Sequence, residues 1–516
     1  MRKSSLSAFL ALLIFSQPGL AQPQASTSRK SAIADRLSVD DLLSTSFGPG
    51  PLISQNQGDN DQDKTPLLRQ EISVSDTVME RKIDELTREI LLKEFDLERY
   101  GIRYNMEYGK QGRWKGWRYG FWGEANLGLG LAGGIISVDN RGRKLRDASH
   151  VNVHTQESAN YIPMIGNIIG AGAAGTEFGI NSWNCYKASR KGYSPRKARK
   201  HVKEKREEIE KLLEQRAKLI VDEGGRPELE ARAKLDAAEQ RVLKDLLTQT
   251  LQQFERFYLG KTNLLAFQQM QYLFDISKNV TSAVGYEYAY LSLARKHRIE
   301  NGRAGVLFAV SGGLYMAGPV LSRLFAKMLV NRERNLLKPS TQIAENATLE
   351  QLKADRNLLE GACKVAGCPK EKIEDFLDRS ASIYALGEKN FEDEIARGKK
   401  ALDKSKLVAT QNIAAGAFVG GTKVASGILF MIPGFNARFN TSGHRADRAT
   451  NSNLFTSSLI SLPASTFAII DTLRINIQGE VTRQKLKKQG LYPDQLAQKR
   501  LDDLDRLEKM VKEIGL

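Results

Sequence analysis

Two ionisable residues stand inside otherwise apolar stretches of this chain. Glu177 follows the 19 uncharged residues Ser158–Thr176, and Lys423 is the single charge in Leu407–Ala437. A lone charge at mid-bilayer costs at least about 2.5–3.5 kcal/mol on insertion scales, so such residues turn toward a cavity or toward one another. Their opposite signs make Glu177 and Lys423 candidates for an intramembrane ion pair. Gly175 and Gly179 flank the first, and Gly420 and Gly421 precede the second. Small residues there would let two helix backbones approach closely.

The other chemical motifs are weaker. Gly128–Gly133 and Gly170–Gly175 both fit GxGxxG. A dinucleotide site also needs a preceding strand, a βαβ unit and a placed carboxylate, and neither match has that setting. Gly416–Lys423 reads GxxxxGTK, in which Lys and Thr are reversed from a phosphate-binding loop. His150 and His154 are four apart, but Val151 and Val153 favour an extended loop and no further ligand is evident. No catalytic residue, cofactor or metal is therefore expected, and the chain reads as non-enzymatic. Cys363 and Cys368 are candidates for a disulfide if they face an oxidising space, which leaves Cys185 unpaired.

The elements that would position these residues are helices. Apolar segments fall at Ala125–Val138, Ser158–Tyr186, Thr262–Ala294, Ala304–Ser322, Leu407–Ala437 and Ala449–Ile470. A spanning helix takes about 20 mainly apolar residues. Four segments meet or nearly meet that length; the first is short, and the third is broken by Asp275, Lys278 and Glu287. Within them Gly130/Gly134, Gly166/Gly170, Gly175/Gly179 and Gly416/Gly420 sit four apart, and Gly313 continues the pattern with Ala309 and Ala317. Four-residue spacing puts small residues on one helix face, which predicts glycine-zipper packing in lipid.

The expected fold is an all-α, multi-span membrane protein of four to six spans. Its segments are a signal peptide at 1–21, a disordered linker at 22–75, and an amphipathic helix with an aromatic and basic interfacial region at 76–120. Apolar hairpins follow at 121–186, 262–322 and 407–470, alternating with charged helical regions at 187–261, 323–406 and 471–516. Gly192–Pro195 and Gly490–Pro493 share G-x-x-P spacing ahead of charged sequence, a weak sign of an internal repeat. Leu504, Leu507, Val511 and Ile514 have coiled-coil spacing over too few heptads to specify one.

Arg2 and Lys3, the apolar run Phe9–Phe15, and small Gly19 and Ala21 read as a secretory signal cut after Ala21. The whole chain has formal charge +17. Export makes nucleic acid an unsuitable partner; membrane lipids, anionic ones included, suit the ten Lys/Arg of residues 187–206. The short connections 139–157, 295–303 and 438–448 carry 4, 4 and 3 basic residues, which places them in the cytoplasm by charge. That points to a bacterial inner membrane, with the long charged regions outside the cytoplasm. The basic flanks at Lys110–Arg118 and Lys187–Arg206 oppose the rule. The leading expectation is an envelope scaffold or assembly factor whose helical hairpins bind partners or itself. The alternative is an oligomeric channel or pore.

Overall fold

Charged, helix-favouring sequence alternates with apolar sequence along this chain, and both kinds fold as long helices. The computed structural model describes residues 66–110, 115–147, 152–224, 230–341, 413–436, 444–490 and 492–513, with a few short pieces between 353 and 411. Cys363, Cys368 and the signal segment lie outside the described residues. The helices are α1 (Pro66–Glu107), α2 (Lys115–Arg146), α3 (Val153–Arg190), α4 (Pro195–Gly224), α5 (Glu230–Ala294), α6 (Ile299–Thr341), α7 (Ile413–Phe435), α8 (His444–Lys488) and α9 (Pro493–Glu513). Among the described residues no strand occurs.

Three of these helices, α6, α7 and the stretch containing α8, are long and apolar enough to cross a membrane. Several elements are longer than expected. Residues 66–75, expected in a linker, are helical, with Pro66 at the first position, where a missing N–H costs nothing. The α2–α3 connection shrinks to residues 147–152. The boundaries expected at 261/262 and 322/323 fall inside the unbroken α5 and α6. At 1.5 Å per residue the 65-residue α5 is about 98 Å long, enough to run through both an apolar and a charged region.

The two G-x-x-P sequences have matching local geometry. Gly192 and Gly490 hold φ +96° and +68°, a left-handed conformation that glycine adopts freely, and they close α3 and α8. Pro195 and Pro493 then start α4 and α9.

The charged helices gather into one bundle. Ile90, Leu97 and Tyr104 of α1, Val202 and Ile209 of α4, Leu235, Val242, Leu251 and Tyr258 of α5, Leu337 of α6 and Leu504 and Val511 of α9 share a core. Ion pairs bind its surface: Arg500 to Glu98 at 2.7 Å, Arg99 to Asp505 at 2.7 Å and to Glu508 at 2.6 Å, and Lys205 to Asp96 at 3.3 Å. Arg216 is fully buried on α4, donating to Thr87, Gln240 and Glu239 at 2.7–2.9 Å.

The apolar segments form a second bundle. α5 packs along α6, α2 along α3, α3 along α5, and α2 along α8. The C-terminal end of α2, the α5–α6 connection 295–298 and the N-terminal end of α8 meet at one end. There Arg298 pairs with Asp447, and Asn451 donates to the carbonyl of Arg141 at 3.0 Å. The charged bundle adjoins the opposite end, where Lys191 pairs with Glu107 at 2.7 Å and Arg199 reaches Tyr258 and Glu333.

Candidate functional site

The apolar bundle is apolar on its outside and polar within. Phe121, Ile135, Ile168, Val310, Leu324, Ile428, Phe467 and Ile470 are exposed. Ser137, Asn160, Asn167, Asp275, Asn279, Ser282, Ser311, Ser426, Asn451, Ser457 and Ser458 are buried. A polar group removed from water needs a partner, so these side chains are organised by one another.

From the charged end inward, Lys115 donates to Gln268 at 2.9 Å, and Arg118 pairs with Glu177 at 2.6 Å. Next come Tyr119, which donates to Asp275 at 2.5 Å, and Lys278, which pairs with Asp275 at 2.5 Å. Lys278 and Lys423 lie over the ring of Tyr315, 3.8 and 4.7 Å from its centre. Lys423 Nζ donates to Ser282 at 3.0 Å. Beyond these, Ser426 bonds Ser457, Ser137 bonds Ser458 at 2.9 Å, and Arg141 and Gln156 each donate to Ser137 at 3.2 Å.

Two cavities open along this seam. One, about 440 Å³, lies nearer the charged bundle and is lined by Tyr119, Asp275, Lys278, Asn279 and Asp471. The other, about 100 Å³, is lined by Asn160, Asn167, Lys423, Ser457, Ser461 and Ser465. Asn126, Tyr315, Val419 and Ala468 line both, so the cavities are neighbours.

The structure separates Glu177 from Lys423 as partners. Glu177, 2% exposed at its side chain, takes Arg118 instead, and Lys423 takes Ser282 and the Tyr315 ring. Each charge finds its partner on a different helix, Glu177 on α2 and Lys423 on α5 and α6.

The glycines also sort by position. A Cβ on Gly166 would lie 2.9 Å from the carbonyl oxygen of Asn126, on Gly416 3.0 Å from that of Tyr315, and on Gly420 2.6 Å from that of Gly312. Gly134 and Gly170 face Leu462 and Asn126 at 2.9 and 2.5 Å. Gly130, Gly175, Gly179 and Gly313 meet nothing within 4 Å. The closest seam joins α6 to α7 through Gly312/Gly420, Gly305/Gly427 and Gly302/Gly434: a Cβ added at Gly305, Gly312, Gly420, Gly427 or Gly434 would lie within 2.6 Å of opposing backbone, and one at Gly302 would meet the Phe435 ring. Its period on α6 and α7 is mainly seven rather than four, so Gly312 and not Gly313 forms the contact.

Sequence reasoning passed over Asp275, Lys278, Tyr315, Asn160 and Arg141. The signal available was the opposite-sign spacing of Asp275 and Lys278, three residues apart on one helix face. The basic run 187–206 is largely engaged within the chain, through Lys191–Glu107, Arg199–Glu333, Lys205–Asp96 and Arg206–Glu210. Among the described residues no group of three His, Cys, Asp or Glu could hold a metal. No protein-family model, curated protein or solved structure matches this chain.

Proposed function

We propose that this protein is a membrane-embedded permeation module for small polar solutes or ions. The observation that carries the reading is the reversal of polarity: an apolar exterior encloses buried serines, asparagines and paired charges beside two cavities. Ionisable groups inside a membrane bundle are costly, and they characteristically mark solute or ion pathways. In this reading α2, α3 and the second half of α5 join α6, α7 and α8 in the membrane. The buried charges Glu177, Asp275 and Lys278 point into the seam and are paired, and the exposed Glu287 lies about two turns from the C-terminal end of α5. Exposed Trp117, Trp122, Trp183 and Tyr186 near the charged bundle suit a membrane–water boundary.

The protein is then an exported inner-membrane protein of a bacterial envelope, with the basic short connections in the cytoplasm and the charged bundle on the far side. The scaffold reading draws less support. The apolar stripes of Ile209 and Leu213 and of Leu235 and Val242, which would grip a partner, are buried against each other. A pore needs no enzyme chemistry and no cofactor. The test is electrical: the purified full chain in planar bilayers or liposomes should conduct ions or release a small polar dye. Tight vesicles at high protein density would reject the permeation reading.

A further inference from the structure

The smaller cavity has a property that its neighbour lacks. No Asp or Glu lines it among the described residues, and its single charged lining group is Lys423. The larger cavity holds both signs, with Asp275 and Asp471 beside Lys278. Lys278 is neutralised by Asp275 at 2.5 Å, whereas among the described residues Lys423 meets the Ser282 hydroxyl and the face of Tyr315 and no carboxylate. A cation held away from water without a counter-ion is expensive, and a mobile anion would offset that cost.

Two further groups point the same way. Asn160 is 5% exposed and lines the cavity, and its amide nitrogen has no acceptor among the described residues. A buried N–H donor without a partner is costly, and an anion would satisfy it. Arg141, also buried and without a carboxylate in reach among the described residues, donates to Ser137, which lines this cavity too. Hydroxyls complete the wall: Thr422, Ser426, Ser457, Ser458, Ser461 and Ser465. In this structure Thr422, Ser461 and Ser465 donate to carbonyls three or four residues back, at 2.8–3.0 Å. A hydroxyl rotor can turn to donate to a ligand instead.

We propose that this cavity binds a small monovalent inorganic anion between Lys423 and Asn160, and that the site makes the pathway anion-selective. At about 100 Å³ the space admits an ion with a few waters and excludes large organic anions. The inference rests on the permeation reading for selectivity, but the binding site stands apart from it.

The experiment uses the full-length chain with chloride as the probe. In liposomes under a KCl gradient, the reversal potential should lie toward that of chloride. Lys423→Gln should lower the chloride-to-potassium permeability ratio by about tenfold, the order expected from removing one unit charge near the path. Lys423→Arg should largely restore it. In parallel, chloride-35 NMR line broadening by the detergent-solubilised protein should be saturable and should disappear in Lys423→Gln. If that variant fails to fold, as judged by helical circular dichroism and gel filtration, Asn160→Asp replaces it. Asn160→Asp puts a fixed carboxylate where the anion would sit and should abolish the broadening.

The outcomes separate the two claims. Broadening lost in the variants but no flux would overturn permeation and keep the anion site. Flux that prefers potassium and ignores Lys423 would overturn the anion site and keep permeation. Neither saturable broadening nor flux would overturn both.

Discussion

The two bundles are built from one chain and share helices α5 and α6, yet they are constructed in opposite senses. In the charged bundle, Leu243, Ile209 and Tyr258 are fully buried while Lys203, Glu207 and Glu208 face out. In the apolar bundle, Val310, Leu324 and Ile428 face out while Asn279, Ser282 and Ser457 are buried. Water drives the first arrangement by expelling apolar surface. Lipid removes that drive between helices, leaving close backbone contact and polar pairing to specify how they associate. In the proposed membrane placement, the same 20 amino acids therefore need different glue on either side of a boundary near residues 108–118 and 258–268.

The widest separation between the bundles should come from truncating large side chains. Leu243→Ala in the charged bundle is expected to cost about 2–5 kcal/mol, the range for a buried Leu truncation. Val310→Ala, on the exposed face of α6, should change helix packing little. Chemical denaturation of the protein in detergent, followed by circular dichroism, compares them. Equal losses would mean that the Val310 face is packed against protein, and the contrast between bundles would fail.

Buried charge should give the next effect. Arg118→Met leaves Glu177 unpaired inside the bundle. The expected loss is about 2–3 kcal/mol, below the ~3–5 for a fully buried pair because Arg118 keeps some contact with solvent. A charge exchange checks the pairing directly. Glu177→Lys combined with Arg118→Glu should recover membrane accumulation, whereas Glu177→Lys combined with Lys423→Glu should not.

Backbone contact tests the lipid-side packing at finer resolution. Gly427→Ala places a methyl 2.5 Å from the carbonyl of Gly305 and should cost about 1–3 kcal/mol as an overpacked contact. Gly313→Ala, in open space on the partner helix, should be neutral. Thermal unfolding of the two variants side by side decides this, and indistinguishable midpoints would remove the α6–α7 glycine seam.

The smallest effect concerns acidity in the charged bundle. Burial, with Glu98 nearby, holds the Glu94 carboxyl well above the usual carboxylate range. Glu98 itself is engaged by Arg500. A raised folded-state value means that the folded protein holds this proton more tightly. The stability it contributes is fully present below the ordinary glutamate range and is lost as pH rises through the raised value. Relative to Glu94→Gln, the wild type should therefore weaken as pH rises across that window, by about 1.4 kcal/mol for each tenfold tightening of the proton on folding. Parallel stability curves for the two proteins from the ordinary glutamate range up to mildly alkaline pH would count against it.

Much of the architecture was legible in residue order, because helix signals are local. Apolar runs at 304–322 and 449–470, the stripe Leu504–Val511, and Gly and Pro at 192–195 and 490–493 act through nearest turns of backbone. The all-helical character, the candidate spans in α6, α7 and α8, and the separation of apolar from charged stretches follow from such signals. The interior could not be read that way. Whether Glu177 meets Arg118 or Lys423, and whether Gly312 or Gly313 touches α7, depends on how each helix is rotated about its axis and on which neighbour it faces. One residue along a helix turns a side chain by about 100°, so an error of a single position exchanges a packed face for an open one. Residues 59–153 positions apart meet at Arg118–Glu177, Lys423–Ser282 and Asn126–Asn279, and only the assembled bundle brings them together. The polar seam is thus a property of the tertiary structure: its members come from helices whose local sequence says apolar, and packing turns their few polar side chains inward together.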